Sequence, residues 1–144
     1  MTVEGYIHQD GAPFIDVLLE IPNFRIRRKV SFLIDTGSPV TILSERDARK
    51  LKLSFKEMKI ADDAIMGLGG FAETYVLQDI RLHFISHGHM IDLSLRNLFV
   101  SKVVTQDEDI INQIPSLLGR DVLRNFMLLF DEKQGTVSLQ KTAQ

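Results

Sequence analysis

Apolar and polar residues alternate along much of this chain, in short runs broken by turn residues. Between Phe14 and Ile21, the residues Ile15, Val17 and Leu19 recur at every second position, which predicts a strand with one buried face. Pro22 and Asn23 predict a turn, and the basic cluster Arg25 to Lys29 reads as a solvated hairpin end. A denser apolar run, Val30 to Ile34, predicts a second strand that leads straight into Asp35-Thr-Gly-Ser-Pro39. Thr41 to Leu43 is a further short extended piece. Ser44 followed by Asp47 resembles a capping box with Asp in place of Glu, so a helix is expected from Glu45 to Leu51 with Ala48 and Leu51 inward.

Ser54 to Ile60 reads as a strand. Met66-Gly-Leu-Gly-Gly-Phe71 follows, with glycines that let two strands meet in a hairpin tip. Beyond it Phe71 to Leu77, Ile80 to Ile85, Met90 to Leu95 and Leu98 to Val104 are four strand candidates, with a turn at His87-Gly88. Asp107 to Asp109 reads as an exposed acidic loop, and Pro115 restricts Ile114 and ends the preceding segment. From Ser116 to Asn125 the period changes, and Val122, Leu123 and Phe126 look like the inner face of a short helix. Phe126 to Phe130, a turn at Asp131 to Gly135, and Thr136 to Gln140 close the chain. With no repeat or linker, residues 1–144 read as one domain. Its class is mainly β, a partly closed barrel with one or two short helices.

Composition narrows the chemistry. The 144 residues include no Cys, which removes disulfides, thiolate nucleophiles and Cys-ligated metals. A formal charge of -2 disfavours a polyanion-binding role, and the Tyr and Phe residues show no stacking pattern for nucleic acid, so core or cleft positions are expected for them. No run approaches the length of a membrane span, and the start lacks the pattern of a secretory signal; no membrane partner and a soluble, cytoplasmic location are the expectation. His83, His87 and His89 cluster, but no Cys or evident carboxylate completes a metal site. They read as a solvated hairpin, and no metal or cofactor is expected. Ser44 reads as a helix cap rather than a nucleophile, and the glycines at 67–70 lack the Gly-Lys-Ser/Thr ending of a phosphate loop.

Asp35 stands out. Alone, Asp-Thr-Gly is a common turn sequence. In company it carries more. Phe32-Leu-Ile-Asp-Thr-Gly-Ser38 resembles the signature of the retropepsin group of aspartic proteases, within the pepsin-like clan. Gly67-Leu-Gly-Gly-Phe71 is similar to the flap tip of retroviral proteases, and Leu117-Leu-Gly-Arg-Asp-Val-Leu123 resembles the clan's second signature. The three occur in the family's order. The ending from Phe130-Asp131 to Gly135-Thr-Val-Ser-Leu139 also looks like the strand pair that closes a pepsin lobe, so the similarity runs from about Phe14 to Gln140.

The resemblance implies a retropepsin-like barrel with a flap hairpin, and it implies roles. Asp35 is the catalytic carboxylate. Thr36 belongs to the network that knits the active-site loops, Gly37 lets substrate backbone approach, and Ser38 hydrogen-bonds the carboxylate. Met66, Gly67, Leu68, Gly69 and Gly70 form a flap over a bound peptide. Leu117, Leu118 and Gly119 pack beside and beneath the Asp35 loop. One departure is local: retroviral enzymes carry an Asp where Pro39 stands, paired with the equivalent of Arg120, so Arg120 needs another acceptor here or must face solvent.

The chemistry adds a constraint. Peptide hydrolysis by this route uses two close carboxylates sharing one proton, which serve together as base and acid; pepsin and a viral protease are the standard cases. The chain has one Asp-Thr-Gly. A two-fold homodimer supplies the second, placing the cleft at the interface and holding an extended peptide. The function expected is thus an aspartic endopeptidase acting on peptide or protein substrates. The alternative is a non-catalytic retropepsin-like domain that binds peptides or only dimerises.

Overall fold

The structure is a computed structural model that describes residues 1–61 and 72–141. Its strands are β1 (Thr2–Glu4), β2 (Tyr6–Ile7), β3 (Pro13–Ile21), β4 (Ile26–Ile34), β5 (Ile42–Leu43), β6 (Lys59–Ile60), β7 (Ala72–Ser86), β8 (His89–Val103), β9 (Ser116–Leu118), β10 (Phe126–Asp131) and β11 (Thr136–Lys141). Three short helices join them: α1 (Glu45–Lys50), α2 (Glu108–Gln113) and α3 (Arg120–Leu123).

The period-two run in β3 does what its pattern predicts: Ile15, Val17, Leu19 and Ile21 are buried and the residues between them are not. β3 pairs antiparallel with β4, β4 parallel with β9, β9 antiparallel with β5, β5 parallel with β8, and β8 antiparallel with β7. β7 then returns to β3 through Leu18 opposite His83, Leu19 opposite Leu82 and Glu20 opposite Arg81, which closes a barrel of six strands. This is the mainly β barrel the sequence predicted, and the β3–β7 seam closes its ring while β2 and β6 extend the sheet beyond it. Phe32, Leu43, Leu82, Phe84, Leu98 and Leu118 fill the interior. A separate three-stranded sheet runs β1-β11-β10. Phe84 of the barrel meets Phe126 of this sheet edge-on, ring centres 5.3 Å apart, so the two sheets share one core.

Several expectations need correction. The four strands expected after the hairpin tip are two strands of 15 residues each. Leu77 and Ile80 are both buried although three apart, and so are their partners Leu98 and Leu95. Asp79, at φ +61°, makes this possible: a left-handed residue resets which side of the strand faces inward without breaking the register. The turn at His87-Gly88 is as expected, with both residues at positive φ, the form that suits a two-residue hairpin loop.

Ser54 to Ile60 is mostly a 3-10 turn at Phe55–Glu57, and only Lys59–Ile60 pairs as a strand. Met58 alone in this segment is buried, so it shows no period-two face. The basic residues at 27–29 are exposed as expected, but they continue β4 rather than forming a hairpin end; Arg25, at φ +54°, makes the turn. The acidic stretch at 107–109 opens α2, a helix where a loop was expected. The Asp107 carboxylate accepts from the Asp109 N–H at 3.0 Å, and Ile111 anchors the helix. α2 stops before Pro115, with Ile114 extended.

His83 is not solvated. It is buried at the seam where β7 meets β3, its Nδ1 2.6 Å from Asp92 and its Nε2 3.3 Å from Glu20. No helix among the described residues is long and apolar enough to cross a membrane.

Because Phe84 is fully buried and links the two sheets, Phe84→Ala is expected to lower unfolding free energy by about 3–5 kcal/mol. Urea denaturation followed by circular dichroism measures it. A loss below about 1 kcal/mol would mean the two sheets do not share a core.

Candidate active site

Strand β4 carries its buried residues, Phe32 and Ile34, to the point where the chain must turn. The next residue is Asp35. Its backbone N–H donates to the Leu118 carbonyl at 3.0 Å, so the parallel pairing of β4 and β9 runs into the loop. The Gly37 N–H donates to Asp35 Oδ1 at 2.9 Å, and the Ser38 N–H donates to the Asp35 carbonyl at 3.2 Å. This is a turn in which the carboxylate organises the backbone two residues on. A Cβ at Gly37 would lie 3.1 Å from Asp35 Oδ1, so a larger residue would crowd the carboxylate. In the single chain Asp35 is half-buried, while Thr36, Gly37 and Pro39 are exposed. The loop therefore lies at the surface of the barrel, with the Asp35 carboxylate only partly covered.

The loop is held from the far side by residues of the second signature. Arg120 donates from Nη1 to the Thr36 carbonyl at 2.7 Å and from its backbone N–H to the Ser38 carbonyl at 2.9 Å. That resolves the departure at Pro39: the arginine takes backbone carbonyls of the loop in place of a carboxylate. Ser38 is buried, and its hydroxyl donates to the Val40 carbonyl at 2.7 Å rather than to Asp35 as expected. Thr36 enters the network through its carbonyl.

Beneath lies a brace that the sequence did not single out. The Thr41 hydroxyl donates to Asp121 Oδ1 at 2.6 Å, the Thr41 N–H donates to Asp121 Oδ2 at 3.0 Å, and the Gly119 N–H donates to the Thr41 hydroxyl oxygen at 3.0 Å. Thr41 is fully buried, so each of its polar groups needs such a partner. Gly119 sits where the two loops cross. A Cβ there would lie 2.2 Å from the Val40 carbonyl oxygen, and glycine alone fits. The one sequence signal for the brace was an acidic residue in the first turn of α3.

A second buried cluster ties β9 to α1. The Ser116 hydroxyl donates to Asp47 Oδ2 at 2.5 Å, and the Ser44 N–H donates to Ser116 Oγ at 2.9 Å. Ser44 caps α1 as predicted, accepting from the Asp47 N–H at 3.3 Å. Glu45, also buried, receives Arg49 at 2.7 Å and the Val103 N–H at 2.8 Å, which joins α1 to the end of β8.

Leu117 and Leu118 take opposite sides of β9, Leu118 buried in the core and Leu117 half-buried beside the loop. The expected flap residues Met66, Gly67, Leu68, Gly69 and Gly70 lie outside the described residues. On β7, just after that segment, Tyr75 donates its hydroxyl to Glu73 at 2.9 Å, which holds the phenol above its ordinary range. Among the described residues no three His, Asp or Glu side chains are arranged to hold a metal ion.

Removing Asp121 leaves two buried Thr41 donors without their charged acceptor. Asp121→Ala is expected to cost about 2–3 kcal/mol of stability. Gly119→Ala is expected to cost about 1–3 kcal/mol through overpacking. Thermal unfolding of both variants tests this, and an unchanged Gly119→Ala would mean the two loops do not cross this closely.

Three comparisons bear on this geometry. The family model described as aspartyl protease matches residues 27–122. Among solved structures, the chain is similar to a retropepsin-like aspartic protease from Rickettsia conorii, at 19% identity and a TM-score of 0.59, covering 96% of this chain and 89% of that one. It is also similar to EIAV protease complexed with the inhibitor HBY-793, at 22% identity and a TM-score of 0.48, covering 78% of this chain and 86% of that one. The search of curated proteins returns no match.

Proposed function

The chain belongs to the aspartyl protease family, and from that premise we propose that it is an aspartic endopeptidase whose working unit is a homodimer. The observation that carries this reading is the Asp35 loop. It presents a carboxylate at the end of a barrel strand, partly open to solvent, with its turn fixed by Gly37 and its floor fixed by Gly119, Thr41 and Asp121.

One such carboxylate is half of a catalytic pair. Two copies of Asp35, brought together across a two-fold axis, cannot both ionise cheaply, so they share a proton. The ionised member takes a proton from a water held between them. The protonated member gives its own to the carbonyl oxygen of the peptide bond as water attacks carbon. As the C–N bond breaks, the newly protonated member gives its proton to the leaving nitrogen and the other takes one from a hydroxyl of the tetrahedral intermediate, so the pair again holds one proton. Neither a covalent intermediate nor a metal is needed. Met66 to Gly70, by their resemblance to a flap tip, cover the peptide in this reading, and Leu117 lines the cleft.

The surface of the chain supports a second copy. β10 is an edge strand of the three-stranded sheet, and its Met127, Leu129 and Phe130 are each nearly half exposed. Unpaired backbone groups flanked by exposed apolar side chains favour pairing with another strand. An isologous pairing through β10 satisfies the edge and gives the two-fold relation that the chemistry requires.

Asp35→Asn is expected to lower kcat on a mixed peptide library by about 10²-fold or more. Equal cleavage by both proteins would remove Asp35 from catalysis, and peptide binding without any product from wild type would make the domain a binding module. Leu129→Arg combined with Phe130→Glu is expected to shift the protein to monomer in analytical ultracentrifugation and to abolish cleavage. A monomer that still cleaves would overturn the dimer.

A further inference from the structure

The strand pairings place a continuous apolar row on the sheet face opposite the core. Tyr6 lies opposite Phe14, Phe14 opposite Leu33, Leu33 opposite Leu117, Leu117 opposite Ile42, and Ile42 opposite Phe99. Directly opposed residues in a sheet share a face. The neighbours of this row, Phe32, Ile34, Leu118 and Leu43, point the other way and fill the barrel. Leu33 lies two residues before Asp35, so the row crosses β4 at the end that leads into the Asp35 loop.

Ile42 is buried, Phe14, Leu33, Leu117 and Phe99 are half-buried, and Tyr6 is 42% exposed, so the row opens toward its Tyr6 end. At its outer end the Tyr6 and Phe14 rings stack, with centres 5.6 Å apart and planes at 15°, and His8 leans on Phe14 at 5.8 Å. This stack is a flat aromatic platform, held by the β2–β3 pairing, at the end of an apolar track that crosses β4 where it leads into the Asp35 loop. Flat apolar side chains dock on such surfaces by offset stacking.

The geometry points to the Tyr6–Phe14 stack as a subsite for an aromatic side chain of the peptide substrate, lying two to four residues from the scissile bond. The spacing follows from sheet dimensions. Leu33 and Tyr6 are two strand spacings apart, about 10 Å, and an extended peptide laid along the row covers that in about three residues. Backbone contacts hold a peptide without regard to sequence, so a platform of this kind supplies selectivity at a position away from the cleaved bond. The inference rests on the protease reading for its cleavage measurement, but not for its binding measurement.

The test uses full-length protein and decapeptides that share one cleavable centre, with a single Phe or Ala placed at each flanking position in turn. Wild type is expected to favour Phe over Ala by about three- to tenfold in kcat/KM at one position two to four residues from the cleaved bond. Tyr6→Ala is expected to bring that ratio toward one, and Tyr6→Phe to keep it. In the Asp35→Asn background, fluorescence anisotropy of the same peptides is expected to show the same Phe-over-Ala ratio and the same loss on Tyr6→Ala. An aromatic preference in binding without cleavage by wild type supports the subsite and ends the protease reading. Two results overturn the subsite: a ratio untouched by Tyr6→Ala, and a Tyr6→Ala protein that sediments as monomer and loses all peptides equally, since Tyr6 would then be an interface residue.

Discussion

Two loops cross behind Asp35, and at the crossing there is no room for a side chain. Val40 and Gly119 approach so closely that a Cβ would touch the Val40 carbonyl oxygen. The approach is set by parallel pairing of β4 with β9, which brings the end of each strand to the same level. Everything that makes Asp35 available follows from this. The Gly119 N–H is released to the Thr41 hydroxyl, that hydroxyl turns its own proton to Asp121, and Arg120 is left free to hold the outer loop by its carbonyls. The carboxylate is thus positioned by backbone and buried polar groups rather than by neighbouring charges.

The helices take part in the same support. α3 begins at the crossing, and its Val122 and Leu123 enter the core. α1 is fastened to β9 through Asp47, Ser44 and Ser116, and to the end of β8 through Glu45. α2 is fastened to α1 by Arg49, which bridges Glu45 and Glu108, and by the Arg46 guanidinium on the Asn112 carbonyl. The carboxylates of Glu45 and Asp47, costly to bury alone, each accept hydrogen bonds here. The result is a rigid side wall next to β9, while the opposite end of the same sheet carries the open Tyr6–Phe14 stack. One sheet therefore holds the Asp35 loop between a braced side and an accessible one.

Where local chemistry and tertiary environment agreed, the sequence was easy to read. Ile15, Val17 and Leu19 alternate because one side of β3 faces the barrel, and Ser44 caps α1 because a hydroxyl there meets the Asp47 N–H. Where they disagreed, it misled. Leu77 and Ile80 looked like the ends of separate strands because a single left-handed residue, Asp79, resets the alternation between them. The acidic stretch at 107–109 looked like a solvated loop because the side chain that anchors the helix, Ile111, comes after it. His83 looked like one of three surface histidines, since Glu20 is remote in sequence and Asp92 lies across a hairpin.

The order of three short motifs, Phe32 to Ser38, Gly67 to Phe71 and Leu117 to Leu123, was enough to point to the family and the barrel. The register of the β3–β7 seam, the Thr41–Asp121 brace, the acceptors of Ser38 and Arg120, and the alignment of Tyr6 with Phe14, Leu33 and Leu117 were decided only by the fold. These are contacts between residues far apart in the chain. Their partners are chosen by strand register, which depends on the packing of the whole core rather than on any one segment.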